Sequence, residues 1–255
     1  MSSLPLEQQI LLMVQTAVLL ALCVRMLALR LHRVYVYFFT YLFLALAQGV
    51  LLDFLSFTST AYLYAWIATE GSILCLYALM VLETYSIILR DLPGIAVVAR
   101  KYITLAVMLA ILVSLLLLGL EKGPPTLMGY FLACDRAVVS SLVFFVLLST
   151  AFLVYFPVPL NRNVVLYSIG YTVYLLTKAT ALLVGNVTYY WWRREINTAL
   201  LVASTGCLVF WLFSLNRAGE AKTVMVGHHW EPGDEQRILS RLESINANLI
   251  QGARK

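Results

Sequence analysis

Seven long apolar runs dominate the sequence and leave few ways to fold it. They cover approximately residues 8–30, 34–55, 61–89, 102–120, 130–154, 164–185 and 197–216. About 20 apolar residues in helical form cross the hydrocarbon core of a bilayer. In lipid only helices and closed barrels satisfy their own backbone groups, so runs of this length predict helices. The third run is the longest and should tilt or protrude. Between the runs, Asp91-Leu92-Pro93-Gly94, Lys122-Gly123-Pro124-Pro125 and Pro157-Val158-Pro159-Leu160-Asn161 read as loops.

Composition removes the alternatives. Of 255 residues, 62% are apolar and 12% charged, against about 45–50% and about 25% in a soluble domain. A soluble globular domain, a disordered chain, a collagen and a disulfide scaffold are all excluded. The four cysteines, Cys23, Cys75, Cys134 and Cys207, lie far apart in apolar runs and read as small hydrophobes. The fold class that follows is an all-α polytopic integral membrane protein. Residues 1–216 form a seven-transmembrane-helix bundle, and residues 217–255 form a polar cytoplasmic tail.

Charge orients the bundle. Residues before Ile10 include Glu7 and no Lys or Arg, so the basic segment of a signal peptide is missing and the first helix is expected to stay. With the N-terminus outside, the inner loops and tail hold Arg25, Arg30, Arg33, Arg90, Arg100, Lys101, Arg162, Arg217, Lys222, Arg237, Arg241, Arg254 and Lys255. The outer side holds Lys122, Arg136, Arg193 and Arg194, the last two beside the interfacial aromatics Tyr189, Tyr190, Trp191 and Trp192. The positive-inside rule therefore gives N-out and C-in, in a plasma or inner membrane. The net charge of +5 belongs to the inner loops, and nucleic acid is not an expected partner.

In the tail, Ile238, Leu242, Ile245 and Leu249 are spaced four, three and four, which predicts a short amphipathic helix over 234–250. Such a stripe suits the bilayer surface, a cytoplasmic protein partner or a homo-oligomer.

Ionisable residues inside the runs are the informative feature, because each costs a few kcal/mol unless paired or hydrated. Toward the inner face, Arg25 and Glu83 match in depth and read as a structural ion pair. In the outer half, Glu70 lies roughly 14 Å deep and Lys178 roughly 10 Å, a difference that a lysine stem spans. Asp135 and Arg136 lie near the outer end of the fifth run. At 100° per residue, Trp66, Glu70, Tyr77 and Thr84 share a face of the third helix. Tyr167, Tyr171, Tyr174 and Lys178 share one on the sixth, and Tyr37, Tyr41 and Gln48 one on the second. Tyrosines at mid-depth need hydrogen-bond partners, so these stripes should face the core. Two readings stand side by side. One is a core stitched by tyrosine hydroxyls and a buried Glu–Lys pair. The other is a ligand or ion pocket of Glu70, Lys178, Trp66, Tyr77, Tyr171, Tyr174, Gln48, Asp135 and Arg136.

Catalytic and cofactor signatures are missing. There is no H-E-x-x-H, G-x-S-x-G, P-loop or G-x-G-x-x-G. His32, His228 and His229 do not offer a haem or metal set within the bundle, so no cofactor and no metal is expected. Seven helices with this orientation resemble G-protein-coupled receptors and rhodopsins in topology alone. Leu82-Glu83-Thr84-Tyr85 lacks the arginine that follows the receptors' acid, and the one mid-membrane lysine, Lys178, is in the sixth run rather than the last. The expected function is non-enzymatic: a sensor, receptor-like or accessory membrane subunit that binds a small ligand or protein partner. The alternative is a transporter or channel using Glu70 and Lys178.

Orientation yields the first prediction. Cysteines introduced between 186 and 196 react with an impermeant thiol reagent added outside intact cells, and cysteines in the tail react only after permeabilisation. The reverse pattern would overturn N-out.

Overall fold

The computed structural model describes residues 5–55, 59–89, 101, 104–105, 108–109, 112, 127–155, 158–187, 192–226, 240 and 243–248. The long helices are α1 (Leu6–Ala28), α2 (Val36–Asp53), α3 (Thr60–Ile88), α4 (Leu127–Tyr155), α5 (Arg162–Val187) and α6 (Arg193–Ser214). A single 3-10 turn, Leu31–Arg33, joins α1 to α2 after Arg30, which adopts φ 58°. A short helix α7 (Arg217–Ala221) follows α6. The fourth apolar run, 102–120, lies almost wholly outside the described residues, although Leu105, Met108, Leu109 and Leu112 are helical and exposed. In the tail, Ile238, Leu242 and Leu249 lie outside them too, while Ile245 belongs to a helical stretch, 243–248, and is half exposed.

Five helical segments are long and apolar enough to cross a membrane: Leu6–Ala28, Val36–Asp53, Thr60–Ile88, Leu127–Ala151 and Arg194–Ser214. The chain is therefore a helical membrane protein. At 29 residues each, α3 and α4 exceed what a bilayer core of about 30 Å requires. With 26 residues α5 is long enough as well, but its tyrosines, threonines and Lys178 dilute its apolar character. That dilution is one-sided. Tyr167, Tyr171 and Lys178 are buried, whereas Ile169, Val173, Leu176 and Leu183 on the opposite face are exposed. The helix turns an aliphatic face outward and its tyrosines and lysine toward the bundle, the division expected of a bilayer-embedded helix.

Each long helix packs on the next from α1 to α6, α6 returns to α1, and α3 also touches α5 across the middle. The seam between first and last helices carries polar stitches: Gln8 Nε2 donates to Thr198 Oγ1 at 2.9 Å and Gln15 Nε2 to Ser204 Oγ at 3.3 Å. The core between α2, α5 and α6 is aromatic. Phe38 lies 4.8 Å from Trp211 and 5.0 Å from Tyr167, centroid to centroid, and Tyr167 stacks on Tyr171 at 6.0 Å. Gly170 makes room for this: a Cβ there would stand 2.5 Å from the Trp211 indole nitrogen.

At the end of the bundle where α5 begins and α6 ends, one expectation from the sequence is corrected and another is extended. The proline-rich segment read as a loop contains a strand, β1 (Val158–Asn161), antiparallel to β2 (Thr223–Val226) in the register Val158↔Val226 to Asn161↔Thr223. The segment after Asn216, read as tail, begins with α7 and β2. The reason is local. The Asn216 side chain caps α7 by accepting from the Gly219 N–H at 2.7 Å, and β2 then meets the free backbone edge of β1.

A polar clasp locks this end. Asn163, fully buried at the start of α5, donates through Nδ2 to the Asn216 carbonyl at 2.6 Å and to Glu220 Oε1 at 2.7 Å. The Tyr35 hydroxyl donates to the same Glu220 oxygen at 2.8 Å. Burial, reinforced by the Glu220 carboxylate, pushes the Tyr35 pKa upward, so it stays a donor. Gly219 lies so close that a Cβ would overlap Asn163 Oδ1. Gly219→Ala is therefore expected to displace Asn163 and lower stability by about 1–3 kcal/mol. Unfolding in mixed micelles would measure this, and an unchanged transition would show that the clasp tolerates a methyl group.

Candidate functional site

Four helices bring polar side chains to one place, toward the end where α3 begins and α5 ends. α5 supplies Lys178, α3 supplies Glu70, α4 supplies Asp135 and α2 supplies Gln48. The Lys178 Nζ lies 3.0 Å from Glu70 Oε1 and 3.3 Å from Asp135 Oδ1. Gln48 Nε2 donates to Thr69 Oγ1 at 2.9 Å and to Glu70 Oε2 at 3.4 Å. Side-chain exposure is 8% for Lys178, 6% for Asp135 and 18% for Glu70, so solvent reaches the cluster mainly at Glu70.

Aromatic rings wall the cluster on its core side. The Lys178 ammonium stands over the Tyr77 ring, 4.8 Å from its centroid, a favourable cation–π placement. Tyr77 and Tyr174 share a hydroxyl–hydroxyl bond of 2.5 Å, and the Tyr171 hydroxyl donates to the Tyr77 carbonyl at 2.8 Å. Tyr41 from α2 packs on both rings, at 5.4 Å from Tyr77 and 6.5 Å from Tyr174. Every one of these tyrosine contacts crosses between helices, so the column ties α2, α3 and α5 together beneath the charges.

The remaining candidates divide. Trp66 is half-buried one turn above Glu70, edge-on to Phe131 of α4 at 5.2 Å. It packs the α3–α4 seam beside the cluster. Arg136 follows Asp135 in sequence, but about 100° of helix rotation separates the two, and among the described residues it makes no ion pair. Tyr37 turns its side chain outward, 39% exposed.

The expected Arg25–Glu83 pair is replaced by two separate helix caps. Arg25 donates through Nη2 to the Leu215 carbonyl at 3.1 Å, just past the end of α6. Glu83 Oε1 accepts from the Tyr37 N–H at 3.2 Å in the first turn of α2. Each charge finds the helix terminus of complementary sign: free carbonyls for the guanidinium, free N–H groups for the carboxylate. Depth alone could match the two residues, but it could not reveal these nearer partners.

Sequence reasoning also missed the weight of Asp135, which shares Lys178 with Glu70, and missed Asn163, Asn216 and Glu220 entirely. Asparagines flanking both helix ends, in Asn161-Arg162-Asn163 and Asn216-Arg217, were the available signal. Between α3, α4 and α5 there is also a cavity of about 20 Å³, whose polar lining includes Thr84, Ser149, Thr150 and Ser168. That volume suits one water molecule, and the buried Ser168 Oγ has no hydrogen-bond partner among the described residues.

Chemically, the cluster can hold charge but offers no activated nucleophile. No group of three or more His, Cys, Asp and Glu side chains that could hold a metal gathers among the described residues. No known protein family, curated protein or solved structure matches the chain.

Sharing changes what each substitution should do. Lys178→Met leaves two buried carboxylates without a cation and is expected to cost about 3–5 kcal/mol. Glu70→Gln leaves the Lys178–Asp135 pair and should cost far less. Lys178→Met combined with Glu70→Gln should be clearly non-additive, with a coupling above about 0.5 kcal/mol. A thermal double-mutant cycle in detergent decides this, and simple additivity would remove the ion pair from the account.

Proposed function

We propose that the chain is a seven-helix membrane protein, N-out and C-in, acting without catalysis as a sensor, receptor-like or accessory membrane subunit. Its ligand site is the cluster of Lys178, Glu70, Asp135 and Gln48, placed in the outer half of the bilayer by the charge-derived orientation. The observation that carries this reading is that one ammonium ion is held by carboxylates from two other helices, with a fourth helix attached through Gln48. A ligand that alters the charge there alters the contact between four helices at once. Differential affinity for two packings is what a sensor requires. The tyrosine column carries the same coupling toward the opposite end, where Glu220 joins Tyr35 before α2 and Asn163 of α5 to the start of the tail. The tail is the proposed output, through a protein partner or a second copy bound to its apolar stripe.

A transporter or channel using Glu70 and Lys178 is the second reading, favoured by the hydroxyl contacts of Tyr77, Tyr174 and Tyr171 that continue inward from the cluster.

One pair of measurements separates the two. A cysteine at Ser240 is expected to change its labelling rate about fivefold or more between the wild type and the double variant Glu70→Gln, Lys178→Met, matching ordinary allosteric coupling. Proteoliposomes are expected to show no ion-gradient-driven flux. An unchanged rate, with flux that Lys178→Met abolishes, would overturn the sensor in favour of the transporter.

A further inference from the structure

The charge cluster is one positive charge short. Its titratable and charged neighbours can be named helix by helix. α2 contributes Tyr41 and the neutral Gln48. From α3 come Glu70 and Tyr77, and from α4 Cys134, Asp135 and Arg136. α5 adds Tyr174 and Lys178. Against two carboxylates, only Lys178 forms an ion pair among the described residues. Its ammonium is drawn toward α3, hydrogen-bonded to Glu70 and seated over Tyr77. Asp135 is 4% exposed, and its Oδ1 makes no hydrogen bond although it lies 3.3 Å from the ammonium. A buried carboxylate whose one close cation is shared with a second carboxylate, in a net-negative cluster, is a group with unspent capacity for a cation.

Resting on the sensor reading of this site, we infer that its ligand is a single monovalent cation, a proton or an alkali ion, taken up between Asp135 and Glu70. The charge count selects the valence: one positive charge brings Lys178, Glu70 and Asp135 to neutrality, and a divalent ion would overshoot. The burial of Lys178 and Asp135 favours a small ion over an organic cation. Entry is from the Glu70 side, where the cluster meets solvent.

The test uses the purified full chain in detergent. Its melting temperature is followed in sodium, potassium and choline chloride at equal ionic strength, across about pH 6 to 9. Binding to the folded state alone raises stability by mass action, so a saturating ion should raise Tm by about 3 °C or more. A rise in sodium or potassium over choline at fixed pH identifies an alkali ion. A rise in choline as pH falls identifies a proton, because a folded state that binds the extra proton gains stability with acidity. Asp135→Asn leaves the balanced Lys178–Glu70 bridge and should abolish the dependence while retaining the fold. Glu70→Gln, which leaves Lys178–Asp135, should do the same. A wild type insensitive to both ion and pH would overturn the inference, as would a dependence that survives in both variants. If the wild type is insensitive while the labelling at position 240 still responds to the cluster, the cation falls and the sensor reading stands.

Discussion

A buried lysine is tolerable only where other groups take up its charge, and the helices around Lys178 meet that demand. Lys178 needs a carboxylate within reach, which brings α3 beside α5. The second carboxylate on α4 closes the gap between those two helices. At an effective dielectric near 20, a unit pair at 4 Å is worth about 4 kcal/mol, a larger sum than any single aliphatic contact in a medium where lipid competes equally for apolar surface. The lysine thus does for α3, α4 and α5 what hydrophobic burial does for helices in water.

Polar groups elsewhere obey the same rule in a different form. Away from the cluster and from the glutamine seam of α1 and α6, several of them sit at helix ends. Arg25 covers the carbonyl end of α6, Glu83 covers the amide end of α2, and Asn216 caps α7. Helix ends leave four backbone groups each without an internal partner, and a bilayer interface gives water only partial access to them. Side chains borrowed from a neighbouring helix satisfy these groups and fix the sliding position of one helix against another. The aromatic core then fills the space between, with Trp211 seated against the bare backbone of Gly170.

Much of this was legible in the sequence. Apart from the run 102–120, which lies almost wholly outside the described residues, the apolar runs fall within a few residues of the helices described, because the bilayer's thickness leaves a length signature that few other environments impose. The stripe Tyr167, Tyr171, Tyr174 and Lys178 was readable because a 3.6-residue period separates a lipid face from a polar one. What escaped was pairing among polar residues at equal depth. Arg25 and Glu83 match in depth and nevertheless face different helix ends, since periodicity fixes rotation about one axis and says nothing of which neighbour lies there. Asp135 was placed near the cluster, but its share in Lys178 depends on α4 packing between α3 and α5. The clasp of Asn163, Gly219 and Glu220 was invisible because its members are far apart in the chain and individually commonplace.

The closure of the helix ring has a consequence for how the protein is made. Among the long helices described, α1 leaves the ribosome before the others, yet its packing partner α6 and the Leu215 carbonyl that receives Arg25 come after the rest. Until then the polar seam of Gln8 and Gln15 has no counterpart, and the amide side chains sit in the membrane unmatched. The strand pair between 158–161 and 223–226 also waits for the final turn of α6 to pass. Biogenesis is thereby arranged so that nothing seals early. A chain truncated before residue 198 leaves α1 with its glutamines and arginine without the partners they find in the full bundle, a form that membrane quality control can distinguish from the finished one.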